Sequence, residues 1–145
     1  MVKVNGFLAA RLLFPEEWEN IVATVPNVPV EIGRYWWLSN PDKENTPDKI
    51  FCVNKNGEVL YTYLSDACLG VRPVFDISGK AGNVGDKAYI KNLPCTVFKL
   101  NNTPIGYQTR VLSDAVLKTE VLSSVEFLLH SSILNDILEE YNEAV

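Results

Sequence analysis

The sequence predicts an α+β protein, a twisted and mostly antiparallel sheet with two helices packed against it. Three observations carry this. A helical pattern begins at Pro15 and another begins near Ser123, and between them runs a succession of short β-rich segments separated by Gly, Asn and Pro. One separator, Asn54-Lys55-Asn56-Gly57, is a strong hairpin turn, because Asn and Gly tolerate the positive φ that tight turns demand.

The first helix is expected from Pro15 to about Val25. Proline suits the first helical position, Glu16 and Glu17 favour the positive end of the dipole, and Trp18, Ile21, Val22 and Val25 share one face before Pro26 and Pro29 stop it. Strands are expected over Tyr35–Leu38, Ile50–Val53, Glu58–Leu64 and Val71–Asp76. The polar, proline-punctuated Ser39–Lys49 stretch reads as an exposed loop.

Three glycines within Ser78–Gly85 mark an internal boundary. It divides the chain into 1–78 and 79–145, packed together as one domain. Beyond it, strands are expected over Ala88–Ile90 and Cys95–Leu100, with a turn at Asn101–Pro104 and a return from Tyr107 to Leu112. Ala115 to Val121 fits a short helix and a strand equally well. The closing helix, capped by Ser123 or Ser124 and running to about Asn142, repeats Leu129, Ile133 or Leu134, Ile137 or Leu138 and Tyr141 at helical spacing. Its wide apolar stripe suits core packing, with an oligomer seam as the alternative.

The 145 residues carry a net charge of -5, and their thirteen basic residues are scattered, so sequence-blind nucleic-acid binding is not expected. No apolar run is long enough to span a membrane, and the opening Met1-Val2-Lys3-Val4-Asn5-Gly6-Phe7 does not read as a signal peptide. Cys52, Cys68 and Cys95 are far apart and flanked by apolar residues, the pattern of reduced, buried thiols. His130 stands alone, so no zinc site is expected. Neither a phosphate loop nor a nucleophile–base motif is evident, and the chain is read as a non-enzyme without metal or cofactor.

The residues nominated for ligand or partner binding are Trp36, Trp37, Asn40, Asp42, Asp48, Tyr61, Tyr63 and Arg72. Adjacent tryptophans on a strand point to opposite faces, so one packs in the core and the other is available to the surface. Tyr61, Tyr63 and Phe75 are expected to line the same sheet. Such aromatic area suits a binding platform, although ordinary core packing is the preferred reading. Arg72, between β-branched residues, calls for an ion pair or a cation–π contact with Trp36 or Trp37, and the sharper alternative is a clamp for a ligand carboxylate. Asp42, Glu44 and Asp48 could offer oxygens to calcium, but an ordinary solvated loop is the preferred reading.

The segments Gly33-Arg34-Tyr35-Trp36-Trp37-Leu38-Ser39-Asn40-Pro41 and Gly70-Val71-Arg72-Pro73-Val74, joined by the Asn56-Gly57 hairpin, resemble the closing half of an uncharacterised domain of bacterial and phage proteins. That domain is similar to the formylglycine-generating-enzyme and C-type-lectin-like fold. The resemblance covers roughly Ala10 to Ile77. It departs from the family where Ser39-Asn40-Pro41 follows Leu38 without the usual arginine. A further departure is that Val84–Leu117 looks like the family's opening half placed after the closing one, in permuted order.

The resemblance implies a C-type-lectin-like sheet and a binding role, and no catalytic residues carry over because the reactive cysteine pair is not matched. The expected function is a recognition or structural module of a phage or prophage, on a virion or in the host cytoplasm, with a protein partner or a second copy through the C-terminal helix. A carbohydrate-binding domain that takes a glycan and an intracellular inhibitor of a host defence enzyme are the alternatives.

Overall fold

A computed structural model describes residues 2–3, 9–39, 45, 49–63 and 68–121. They form β1 (Val2–Lys3), β2 (Ala9–Arg11), α1 (Pro15–Thr24), β3 (Trp36–Trp37), β4 (Lys49–Val53) and β5 (Val59–Tyr63). There follow β6 (Cys68–Val71), β7 (Val74–Ser78), β8 (Lys87–Ile90), β9 (Leu93–Thr103), β10 (Gly106–Ser113) and β11 (Lys118–Val121). The expected C-terminal helix lies outside the described residues.

The expected single sheet is two sheets. One has six strands in the order β1-β8-β9-β10-β7-β2, the other five in the order β11-β6-β3-β4-β5. Pairing is antiparallel except for β1 with β8 and β3 with β6. The change of sheet occurs at Arg72-Pro73, inside what the sequence suggested was one strand from Val71 to Asp76. Proline has no N–H for a ladder, so β6 ends at Val71 in one sheet and β7 begins at Val74 in the other. Phe75 therefore belongs to the six-stranded sheet, whereas Tyr61 and Tyr63 lie on β5 of the five-stranded one.

Strands from both sides of Ser78–Gly85 contribute to each sheet. The six-stranded sheet joins β1, β2 and β7 to β8, β9 and β10, and the five-stranded sheet receives β11 against β6, Lys118 opposite Val71. The ambiguous Ala115–Val121 segment thus ends in a strand. The β9–β10 hairpin is longer than expected and turns at Pro104-Ile105, with Thr103 opposite Gly106.

Two apolar layers result. The first fills the space between the sheets, with Trp37, Cys52 and Val71 meeting Phe75, Ala88, Cys95, Val97 and Val111. The second lies under α1, where Trp18, Ile21 and Val25 meet Trp36, Leu38 and Val53. Strand alternation sends Trp36 to one layer and Trp37 to the other, and both faces of β3 are covered. The expectation of a surface tryptophan is therefore corrected: Trp36 is 0% and Trp37 1% exposed.

The start of α1 follows its sequence signals. Glu17 Oε1 accepts the Phe14 N–H at 3.0 Å, and its two oxygens also receive Arg11 Nη1 at 2.7 Å and Nη2 at 2.8 Å. The Val25 N–H closes the other end on Ile21 O at 2.8 Å, and Pro26 follows. Val22, expected on the buried face, is 44% exposed and marks the edge of that face. Trp18 Nε1 donates to Gly57 O at 2.9 Å, tying the helix to the β4–β5 turn. Gly57 is needed there twice over: its φ is +89°, and a Cβ would lie 2.4 Å from Val30 Cγ1.

Candidate functional site

Of the nominated residues, the fold brings Trp36 and Arg72 together. The Arg72 guanidinium carbon sits 4.9 Å from the Trp36 ring centre and 5.3 Å from that of Trp18, and the two indoles meet edge to face at 4.9 Å. Arg72 Nε donates to Ser113 O at 2.6 Å and Nη2 to Pro29 O at 2.9 Å. Its side chain is wholly buried, and burial pushes its pKa down to about 10 against the opposing pull of Asp114, so it stays charged at neutral pH. Arg72 thus pins the junction of the two sheets to the segment after α1. The cation–π contact is made with Trp36, and with two donor groups bound to backbone carbonyls in the core the residue is not placed to clamp an external carboxylate.

Tyr61 lies two strands from Trp36, 51% exposed, its ring 6.2 Å from that of Phe51. Asn40, Asp42 and Asp48, with Glu44, fall outside the described residues, as does the side chain of Tyr63. Cys52 and Cys95 are free and buried; burial raises Cys52 to about 11 and raises Cys95 further. Among the described residues no three of His, Cys, Asp and Glu converge as metal ligands, and no helix is long and apolar enough to cross a membrane.

A second polar cluster was not foreseen. Lys87 Nζ donates to Asn27 O at 2.9 Å, to Thr96 Oγ1 at 2.7 Å and to Asp114 Oδ2 at 2.8 Å, and Thr96 Oγ1 donates to Asp114 Oδ1 at 2.6 Å. A hydroxyl held between an ammonium and a carboxylate is the composition of an activated nucleophile. Thr96 is 0% exposed, however, so a substrate cannot reach it, and the cluster works as a clamp between β8, β9 and the end of β10.

The surface near the nominated hairpin has its own shape. An open groove of about 260 Å³ runs between α1 and the β4–β5 turn, lined by Trp18, Glu19, Val22, Gly57, Glu58 and Val59. Trp18, Val22 and Val59 form the apolar part of its lining; Glu19 and Glu58 are exposed residues, and the Glu58 carboxylate accepts a hydrogen bond from Asn54 Nδ2 at 3.3 Å. Backbone geometry adds a direction. Asn54 N–H reaches Glu58 O at 2.9 Å, and antiparallel rungs alternate, so the next pair, Val53 with Val59, is not hydrogen-bonded. The Leu38 N–H bond to Phe51 O at 2.8 Å fixes the same phase from the other side of β4. Val59 therefore directs its N–H and C=O away from β4, to the side of β5 on which no described strand runs. Sequence reasoning missed this groove because its walls are ordinary residues about forty positions apart; the exposed Glu58 beside the turn was the one local signal.

Compared with protein-family models, curated proteins and solved structures, the chain shows no match.

Proposed function

We propose that this chain is a non-catalytic recognition module that engages a protein partner through the face built by α1 and the β4–β5 hairpin. The observation that carries the reading is the groove, whose lining includes the exposed Val22, with Tyr61 exposed on the adjoining strand β5. The phage or prophage setting, on a virion or in the host cytoplasm, rests on the Tyr-Trp-Trp and Gly-Val-Arg-Pro resemblance and belongs to the same proposal. The carbohydrate-binding alternative loses the exposed tryptophan it called for, since Trp18, Trp36 and Trp37 are all buried.

Site-specific photo-crosslinking tests the reading. A photoreactive residue at Val22 is expected to yield a discrete protein adduct in the cells that make the chain, and one at exposed Asn83 is not. Identical adducts from both positions, or none from Val22, overturn it. Mass spectrometry of purified particles tests the virion setting, which falls if the chain is missing from them.

A further inference from the structure

We infer that Asn56 is a site of covalent conversion to aspartate and isoaspartate, and that the tether between α1 and the β4–β5 turn governs its rate. The inference goes beyond the recognition reading and stands whether or not that face holds a partner. Asn56 is exposed, and its side-chain amide takes part in no hydrogen bond among the described residues. The next residue is Gly57, which has no Cβ to shield its nitrogen.

The chemistry draws on water alone. Solvent hydroxide removes the Gly57 N–H proton and the nitrogen attacks Asn56 Cγ. As the new N–Cγ bond forms, the Cγ–Nδ2 bond breaks, and the amide nitrogen takes a proton from water and leaves as ammonia. Water then opens the succinimide. Attack at Cγ returns the main chain to its original path as aspartate, and attack at the Asn56 main-chain carbonyl carbon leaves Gly57 joined through Cγ as isoaspartate. Asn54, Asn27 and Asn83 show the contrast. Asn54 Oδ1 accepts the N–H groups of Asn56 and Glu58, each at 2.9 Å, and its Nδ2 reaches Glu58 Oε1 at 3.3 Å. Asn27 Nδ2 is bound to Gly85 O at 3.1 Å, and β-branched Val28 and Val84 shield the nitrogens that follow Asn27 and Asn83. A second Asn-Gly pair, Asn5-Gly6, lies outside the described residues.

The fold restrains the reaction. Ring closure needs the Gly57 nitrogen to turn toward Asn56 Cγ, but its N–H donates to Asn54 O at 3.1 Å, and the Gly57 C=O is held by Trp18 Nε1 at 2.9 Å. Conversion therefore passes through local opening of the turn. Both products add a carboxylate near Glu58 in sequence. Isoaspartate also adds a carbon to the main chain inside a turn that the Asn54 N–H closes on Glu58 O at 2.9 Å.

The test incubates the purified full chain at mildly alkaline pH beside a synthetic Val53–Val59 peptide. Peptide mapping, with fragmentation that separates isoaspartate from aspartate, follows both. Each hydrogen bond is worth about fivefold in an opening equilibrium, so Asn56 is expected to convert about twentyfold more slowly in the folded chain than in the peptide. Trp18→Phe should speed the conversion about fivefold, and so should Asn54→Ala, which loosens the turn without touching the core. Val97→Ala, which weakens the core between the sheets, should leave the rate unchanged. Equal rates in chain and peptide, or no conversion in the chain long after the expected delay, overturns the inference. It also falls if neither turn variant changes the rate, or if Val97→Ala speeds it as much as they do, because global unfolding is then the route.

Discussion

Replacing Arg72 by alanine tests the view that one buried guanidinium fastens the two sheets and the post-helix segment together. The substitution removes the donors of the buried Ser113 O and the part-buried Pro29 O, which received bonds of 2.6 and 2.9 Å. Each loss costs about 1–3 kcal/mol. It also removes contacts with the Trp18 and Trp36 rings, on the order of 0.5–2 kcal/mol each. Against this stands relief from keeping a charge in the core, which offsets several kcal/mol. The net expectation is a loss of about 3 kcal/mol. At a urea slope of roughly 2 kcal/mol per molar, the unfolding midpoint moves down by about 1.5 M.

Arg72→Met, which keeps the volume and the apolar contact, should lose about half as much. Arg72→Lys should resemble alanine, because one ammonium cannot reach both carbonyls while also lying over the Trp18 and Trp36 rings. Urea unfolding followed by tryptophan fluorescence measures all three. An alanine variant within about 0.5 kcal/mol of wild type, or a methionine variant more stable than wild type, would refute the reasoning.

Three further outcomes are expected. Burial works to raise Glu17, but the hydrogen bonds from Arg11 and the Phe14 N–H and the charges of Arg11 and Arg110 outweigh it and leave its pKa lowered from 4.5. Its contribution is then present above that pH and lost as the pH falls below it; Glu17→Gln should flatten this part of the stability curve, and Glu17→Ala should cost about 1 kcal/mol at neutral pH. Gly57→Ala should cost about 2 kcal/mol through its left-handed backbone and the collision with Val30, read as a lower thermal midpoint; a cost under about 0.5 kcal/mol counts against that account. In a Cys68→Ser background, Cys52 and Cys95 should react with an aromatic disulfide reagent only as fast as the protein unfolds, and prompt labelling of the native protein contradicts their burial.

The local parts of the fold were legible where chemistry within a few residues decides the outcome. Pro15, Glu16 and Glu17 start a helix at the expected place, and Asn54 to Gly57 make the expected turn between β4 and β5. The strand after Gly70 was misread because β-branched Val71 and Val74 outweighed Pro73, although a proline in a central strand is itself the sign of a break. Alternation correctly put Trp36 and Trp37 on opposite faces. Whether either reached solvent depended on a helix and a second sheet covering those faces, and no window around residue 36 contains that information. The groove was illegible for the same reason, since it exists only once Trp18 bonds to Gly57.

The passage of the chain from one sheet to the other within two residues, Arg72 and Pro73, bears on how the protein folds. Val2 pairs opposite Ala88 and Lys118 opposite Val71, so both sheets need contacts between distant stretches before either is complete. Loop closure must precede those contacts, which places folding in the millisecond-to-second range expected of sheets with non-local pairing. Because neither side of Ser78–Gly85 holds a full sheet, a nick there should leave two fragments that refold by associating. Calorimetry of the intact chain should then record one transition, with heat absorption for both layers of the core together.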